Sequence, residues 1–329
     1  TQASNYPSLD RWFFQESGVS YTAAQVDVSG TPTDYGFTKS MKITNTAVGS
    51  NTASDYLFFA QRIEGQNIRN SGWDYQDSNK FLVYSFWAKS SLAGTYLAGV
   101  QAGNGEGVFN QAFTLVADTW TKVKFSVPGR SSLTATGVPN TNAQGWEFRV
   151  ILHWGTNYTT SGTAQNQWIN WNSAARADDF SQNWIAASGA TFEITGCQLE
   201  VGEVATPFEH RSFGDELARC QRYYYSHADG ASQSIGFGGN YSSSLLTCQV
   251  HFPVTMRSSP TLVQGSGTGY YRFRRSNGSD LFNSFTATQT PSTNSVALDC
   301  SANISGTQGD GGRVQTENAS AYIHFDSEL

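Results

Sequence analysis

Residues 120–127 read Trp-Thr-Lys-Val-Lys-Phe-Ser-Val, so Thr121, Val123, Phe125 and Val127 fall on one side of an extended chain and both lysines on the other. That period of two belongs to a half-buried β-strand, because a helix would scatter the same residues around its axis. The signal recurs. Residues 81–88 (FLVYSFWA) are apolar in both phases, as suits a strand in the middle of a packed sheet. In 146–152 (WEFRVIL) the alternation assigns Trp146, Phe148, Val150 and Leu152 to a core, and residues 192–199 (FEITGCQL) change phase at Gly196, where a bulge is expected. Thirty-two glycines, nine tryptophans and only two methionines favour many short strands and exclude a helical bundle. The polar stretches 101–111 and 128–145 are expected as loops.

Beyond Pro207 the pattern changes. Ser212 offers a helix N-cap with Asp215 three positions on, and Phe213, Leu217, Cys220 and Tyr224 form one narrow apolar stripe, predicting a helix over 212–225. Alternation then resumes at 245–254, through Leu246, Cys248, Val250, Phe252 and Val254, and at 320–326, through Ala321, Ile323 and Phe325. The expected organisation is all-β: a large β domain over 1–206, a helical junction over 207–225 and a smaller sandwich-like β domain over 226–329.

Charge narrows the function classes. Charged residues make up 14% of the chain and the net charge is −6, which provides no long-range attraction for nucleic acid or an anionic membrane surface. The longest dense apolar run, 81–88, is far short of the ~20 residues that cross a bilayer. The four cysteines, Cys197, Cys220, Cys248 and Cys300, form no CxxC pair and are expected as free thiols. Five histidines occur singly, so no metal or cofactor is assigned; Asp74 and Asp77, or Asp178 and Asp179, are expected to face solvent rather than hold calcium. Nucleophile-elbow, Walker and dinucleotide motifs are absent. Glu106, Glu147, Glu193 and Glu200 lie on or near strands, where carboxylates usually serve solubility, and His251 and His324 occupy polar strand phases. No catalytic residue is assigned, and the chain is not expected to be an enzyme.

Aromatic rings among polar neighbours are the positive clue, since sugar rings stack on Trp and Tyr while Asn, Asp and Arg bond hydroxyls. Trp73, Asp74 and Tyr75 form one such cluster, and Trp154, Asn157 and Tyr158 a second. Trp168, Trp171 and Trp184 share an Asn/Gln/Ser-rich stretch, whereas Trp87, Trp120 and Trp146 are expected in the core. In Tyr270-Tyr271-Arg272-Phe273-Arg274-Arg275, three arginines and three aromatics suit an anionic glycan; a solvated hairpin with inward aromatics explains the same residues.

Several segments together resemble tail-fibre and adhesin proteins of tailed bacteriophages. They are Leu9-Asp-Arg-Trp12, Ser85-Phe-Trp87, Gly94-Thr-Tyr96, Thr119-Trp120, Phe192-Glu-Ile-Thr-Gly196 and, most specifically, Gln198-Leu-Glu-Val-Gly202 followed by Ala205-Thr-Pro-Phe-Glu-His-Arg211. Cys220-Gln-Arg-Tyr223, Phe252-Pro-Val-Thr-Met-Arg257, Ser258-Ser-Pro260 and the closing Tyr322-Ile-His-Phe-Asp326 resemble the tip domain of similar proteins. The resemblance implies a jelly-roll β-sandwich similar to carbohydrate-binding modules, carried on a virion appendage, assembled in the host cytoplasm as a homotrimer and recognising host surface glycan or lipopolysaccharide. It also implies an upstream virion-attachment segment, contacting other virion proteins, that these residues do not include. The 198–211 segment reads as a structural strand and exit turn, with Glu209, His210 and Arg211 bracing the junction. Phe213, Leu217, Cys220 and Tyr224 are the candidate trimer contacts. A purely structural fibre or capsid-decoration protein and a polysaccharide depolymerase are the alternatives.

Overall fold

The computed structural model describes residues 11–171, 174–288 and 292–329. The chain divides into two compact units, one ending at His210 and the other spanning Arg211–Glu328. The first is a jelly-roll sandwich. One sheet has six strands in the order β1 (Trp12–Ser17), β4 (Tyr56–Glu64), β9 (Gln144–Trp154), β6 (Gly94–Ala102), β7 (Val108–Leu115) and β10 (Trp168–Ile169). The other has five, in the order β2 (Ser20–Asp27), β3 (Lys39–Ala47), β11 (Thr191–Val201), β5 (Phe81–Ser90) and β8 (Thr121–Pro128). All the ladders are antiparallel among the described strands.

The core between the sheets follows the alternation read above. Val123, Phe125 and Val127 enter it from β8, Leu82, Tyr84 and Phe86 from β5, and Trp146, Phe148, Val150 and Leu152 from β9. Tyr84 stacks on Phe148 with ring centroids 4.4 Å apart. The other phase of β5, Val83, Ser85 and Trp87, is buried too. Segment 101–111, expected as a loop, contributes Val108, Phe109 and Asn110 to β7, all buried; the run is polar because only alternate residues face the core.

β11 carries the expected bulge between Thr195 and Gln198. Beyond it, the strand's polar side chains fasten its own exit turn. Gln198 Oε1 accepts from Glu209 N at 2.7 Å and Glu200 Oε2 accepts from Thr206 N at 3.1 Å. Phe208 and His210 then pack on the ring of Phe37, and His210 Nε2 lies 2.9 Å from Tyr35 O.

The second unit begins with a helix, α2 (Phe213–Gln221), following the short α1 (Gly65–Arg69) of the first unit. Ser212 caps it, accepting from Asp215 N at 3.2 Å. The helix is shorter than the expected 212–225: Tyr224 opens β12 (Tyr224–Asp229), which pairs with β21 (Tyr322–Asp326), so Tyr224 leaves the apolar stripe. With β15 (Thr261–Gln264) these strands form a three-stranded sheet. A seven-stranded sheet runs β17 (Gly278–Phe282), β16 (Tyr271–Arg275), β20 (Gly311–Thr316), β13 (Ser234–Ser242), β14 (Leu245–His251), β19 (Ser295–Cys300) and β18 (Thr286–Thr288). Tyr271, Phe273, Phe282, Leu298, Ile323 and Phe325 centre its core. His324, expected in a polar phase, is buried and meets the Tyr224 hydroxyl at 2.5 Å. No helix among the described residues is long and apolar enough to cross a membrane.

Candidate functional site

The outer face of the six-stranded sheet is where buried charge and exposed aromatic surface meet. On central β9, between β4 and β6, Glu147 and Arg149 occupy the phase opposite the core residues, and both are buried. Register places Arg62 of β4 and Gln101 of β6 on either side of Glu147. Glu147 Oε2 accepts from Arg62 Nε at 3.0 Å, and its Oε1 accepts from Arg149 Nε. Burial alone would raise the carboxyl's pKa, but the two guanidinium groups overcome that and hold it below its ordinary value. A solubility role for Glu147 is therefore corrected. Glu193, on the other sheet, is likewise buried, accepting from Ser40 Oγ and pairing with Lys89.

The segment after β9 folds back over this face. Thr159 bridges to Ala177, Arg176 N donates to Tyr158 O at 2.9 Å, and Asn110 Nδ2 of β7 donates to Arg176 O at 2.6 Å. Phe13, Phe58, Leu97, Ile151, Trp154 and Ala177 form the apolar floor. Above it the Arg176 guanidinium carbon lies 4.7 Å from the centroid of Tyr158 and 4.2 Å from that of Trp171, with Arg149 5.6 Å from the same indole. Trp171 is 37% exposed. Tyr56 joins Tyr158 edge-on at 5.5 Å.

Of the residues expected to touch a ligand, this face gathers Trp154, Asn157 and Tyr158. Tyr158 is half-buried and Asn157 exposed, but Trp154 is 3% exposed and packs edge-on with Phe58, so it offers no free ring face and is corrected to a floor residue. The Trp73 cluster lies elsewhere. Its indole is in the core against Trp146, with Nε1 donating to Lys80 O at 3.1 Å; Asp74 is exposed and holds its own turn through Gln76 N; the Tyr75 hydroxyl is taken by Arg69. Trp73 is therefore corrected to a structural residue.

In the second unit, Tyr271 is fully buried, its hydroxyl donating to Gly265 O and Tyr322 O, because β16 presents that phase to the core. Arg272 pairs with Glu317 at 2.6 Å, and the neighbouring Arg275 with Asp280 at 2.7 Å. Tyr271 is corrected to a core residue, whereas the Arg272 side chain stays partly exposed. Arg274 is exposed and Tyr270 half-buried. No group of three His, Cys, Asp or Glu side chains suited to a metal ion occurs among the described residues.

Sequence reasoning passed over Arg62, Arg149 and Arg176 and placed Trp171 only in a polar stretch. The available signal was a Glu-x-Arg pair in the middle of an otherwise apolar strand.

No family model and no curated protein matches the chain. Solved structures similar to it include the enzymatically active domain of bacteriophage CBA120 tailspike protein 4, at 12% identity over 61% of this chain with a TM-score of 0.34. The match spans 20% of that tailspike chain. A CBM4 carbohydrate-binding module is similar at 13% identity over 61% of this chain and 92% of its own, with a TM-score of 0.32. The CBM22-1 xylan-binding domain of a Paenibacillus barcinonensis protein is similar at 10% identity over 58% of this chain and 87% of its own, with a TM-score of 0.29.

Proposed function

We propose that this chain is a virion protein of the tail-fibre or adhesin type that binds a host surface glycan on the outer face of its six-stranded sheet, without cleaving it. The observation that carries the reading is the partly exposed Trp171 indole beside Tyr158 and Arg176, over the outer face of the six-stranded sheet. A sugar stacks its apolar face on such a ring while guanidinium and amide groups take its hydroxyls.

A depolymerase would need a carboxyl that keeps its proton near neutral pH and a second carboxylate across the bond. Glu147, held ionised by two arginines, is unsuited to donate a proton. The reading is therefore of binding alone.

Phe213 and Leu217, 83% and 43% exposed on one side of α2, support self-association as a homotrimer. Repetition of a weak site would then raise avidity on a host surface.

A bacterial-envelope glycan array probed with the parent chain and Trp171→Ala tests the binding. Saturable binding that Trp171→Ala abolishes is expected, with no oligosaccharide released from the bound polymer. Absence of binding by the parent at any concentration would favour the purely structural fibre. Light scattering should give a trimer mass, reduced to that of a monomer by Leu217→Glu; a monomeric parent would remove the trimeric assembly.

A further inference from the structure

The cations of this face are not all paired. Arg62 and Arg149 each take one oxygen of the Glu147 carboxylate, and Arg62 also donates from Nη1 to Leu329 O. Glu64, two residues along β4 from Arg62, is buried and accepts from Gln66 Nε2 at 2.5 Å. Arg176 has no carboxylate against it among the described residues; its charged neighbour is Arg149, and it lies against the rings of Trp171, Tyr158 and Trp154. Its Nε is buried without a hydrogen-bond partner among the described residues. Two guanidinium groups thus approach one indole, at 4.2 and 5.6 Å from its centroid, with one of them uncompensated.

Like charges set against one indole in a partly desolvated place repel each other, and a buried donor without a partner costs free energy. Burial and the Arg149 charge both act against the protonated form of Arg176. A neutral sugar stacked on Trp171 would leave both costs in place. An anion beside the guanidinium groups would offset the repulsion, since a planar guanidinium takes a carboxylate or phosphate through two parallel hydrogen bonds. Resting on the glycan-binding reading above, we propose that the sugar bound at Trp171 carries an anionic substituent, a carboxylate or a phosphate, which Arg176 and Arg149 receive together. The indole then selects for a sugar ring, and the arginine pair for its charge.

The test uses the full chain and matched polysaccharide pairs: polygalacturonate, hyaluronate and polysialic acid, each with its carboxyl-reduced form, and bacterial lipopolysaccharide core with its dephosphorylated form. These sit beside the neutral and acidic polymers of the array. The expected result is binding to charged members only, weakening as salt rises from 50 to 500 mM as exposed ion pairs are screened. Which pair responds distinguishes carboxylate from phosphate. Arg176→Gln should weaken that binding by roughly 10- to 100-fold, the loss of one charge-assisted hydrogen bond, while melting no lower than the parent because a repulsive charge has gone. Arg176→Lys should recover part of the affinity. Equal binding of neutral and charged members, still abolished by Trp171→Ala, would overturn the charge requirement and leave glycan binding standing. Failure of every polymer to bind would overturn both.

Discussion

The ring of Phe37 lies across Gly196, so close that a Cβ on the glycine would stand 2.6 Å from the phenyl Cζ. Gly196 also has φ +61°, inside the left-handed region, at the bulge of β11. Conformation and contact therefore both require glycine there. The same ring is the platform for Phe208 and His210, so the bulge positions the exit segment of the jelly roll. Gly196→Ala is expected to cost at least about 2 kcal/mol, from left-handed strain plus overpacking. Gly72→Ala, at φ +84° with nothing within 4 Å, is the control for strain alone. Urea unfolding followed by tryptophan fluorescence should place Gly196→Ala well below Gly72→Ala; equal midpoints would remove the contribution of the Phe37 contact.

Glu147 is the only carboxylate bonded to both Arg62 and Arg149 among the described contacts, and it is almost fully buried. Removing its charge strands Arg149 and leaves Arg62 with Leu329 O alone. Glu147→Gln should lower stability by about 3 kcal/mol, the usual cost of breaking a buried pair from one side. Because the folded carboxyl's pKa is depressed below its ordinary 4.5, its contribution is present above that pH and is lost as pH falls through the folded value. The difference between parent and variant, measured by urea midpoints at pH 7 and pH 3, should therefore shrink in acid. A constant difference would mean that the ion pairs add nothing.

These two sites show what alternation can and cannot reveal. The phase change at Gly196 is visible in FEITGCQL, and the inward residues of β5, β8 and β9 follow from a period of two. The opposite phase of β9 did not follow, because period alone says nothing about what covers a strand's second face. The segment after β9 sets Trp171 against Arg149 here, and the Arg62 and Arg149 side chains close over Glu147. For the same reason Trp73, Trp154 and Tyr271 read as ligand rings when they are packing rings: a tryptophan next to Asp or Asn in sequence is not thereby next to solvent. The stripe through Phe213 and Leu217 was legible as far as Gln221. Beyond it, Tyr224 obeys its pairing with Asp326, a partner too distant in sequence for helical spacing to anticipate.

Three histidines set a second pH dependence. Burial lowers the pKa of His153 in the first unit and of His227 and His324 in the second, in each case below the ordinary 6.5. The folded state thus holds them neutral, so their full contribution is present above about pH 6.5 and declines as acid protonates the unfolded chain first. Melting temperatures should be flat from pH 8 to 7 and fall between pH 6.5 and 5, in both units. Replacing His324 by Gln should flatten the fall for the second unit only. A melting temperature independent of pH across that range would show that these imidazoles titrate alike in both states.

None of the four cysteines is in a disulfide. Burial pushes the Cys197 and Cys248 thiols up to about 12, and Cys300 is raised by the same cause. Thiolate is the reactive form, so these three have almost none near neutral pH, and Cys248 and Cys300 are buried from a reagent as well. Iodoacetamide at pH 8 should leave Cys197, Cys248 and Cys300 unmodified over hours in the native chain and label all four residues within minutes in 8 M urea. Peptide mass spectrometry resolves them individually. Cys248 and Cys300 sit on the paired strands β14 and β19, but opposite Leu298 and Leu246 rather than each other, so mild oxidation should not link them while the sheet is intact. A Cys248–Cys300 disulfide recovered from native protein would contradict that register, and rapid native labelling of Cys197 would show that its thiol is not held protonated by its surroundings.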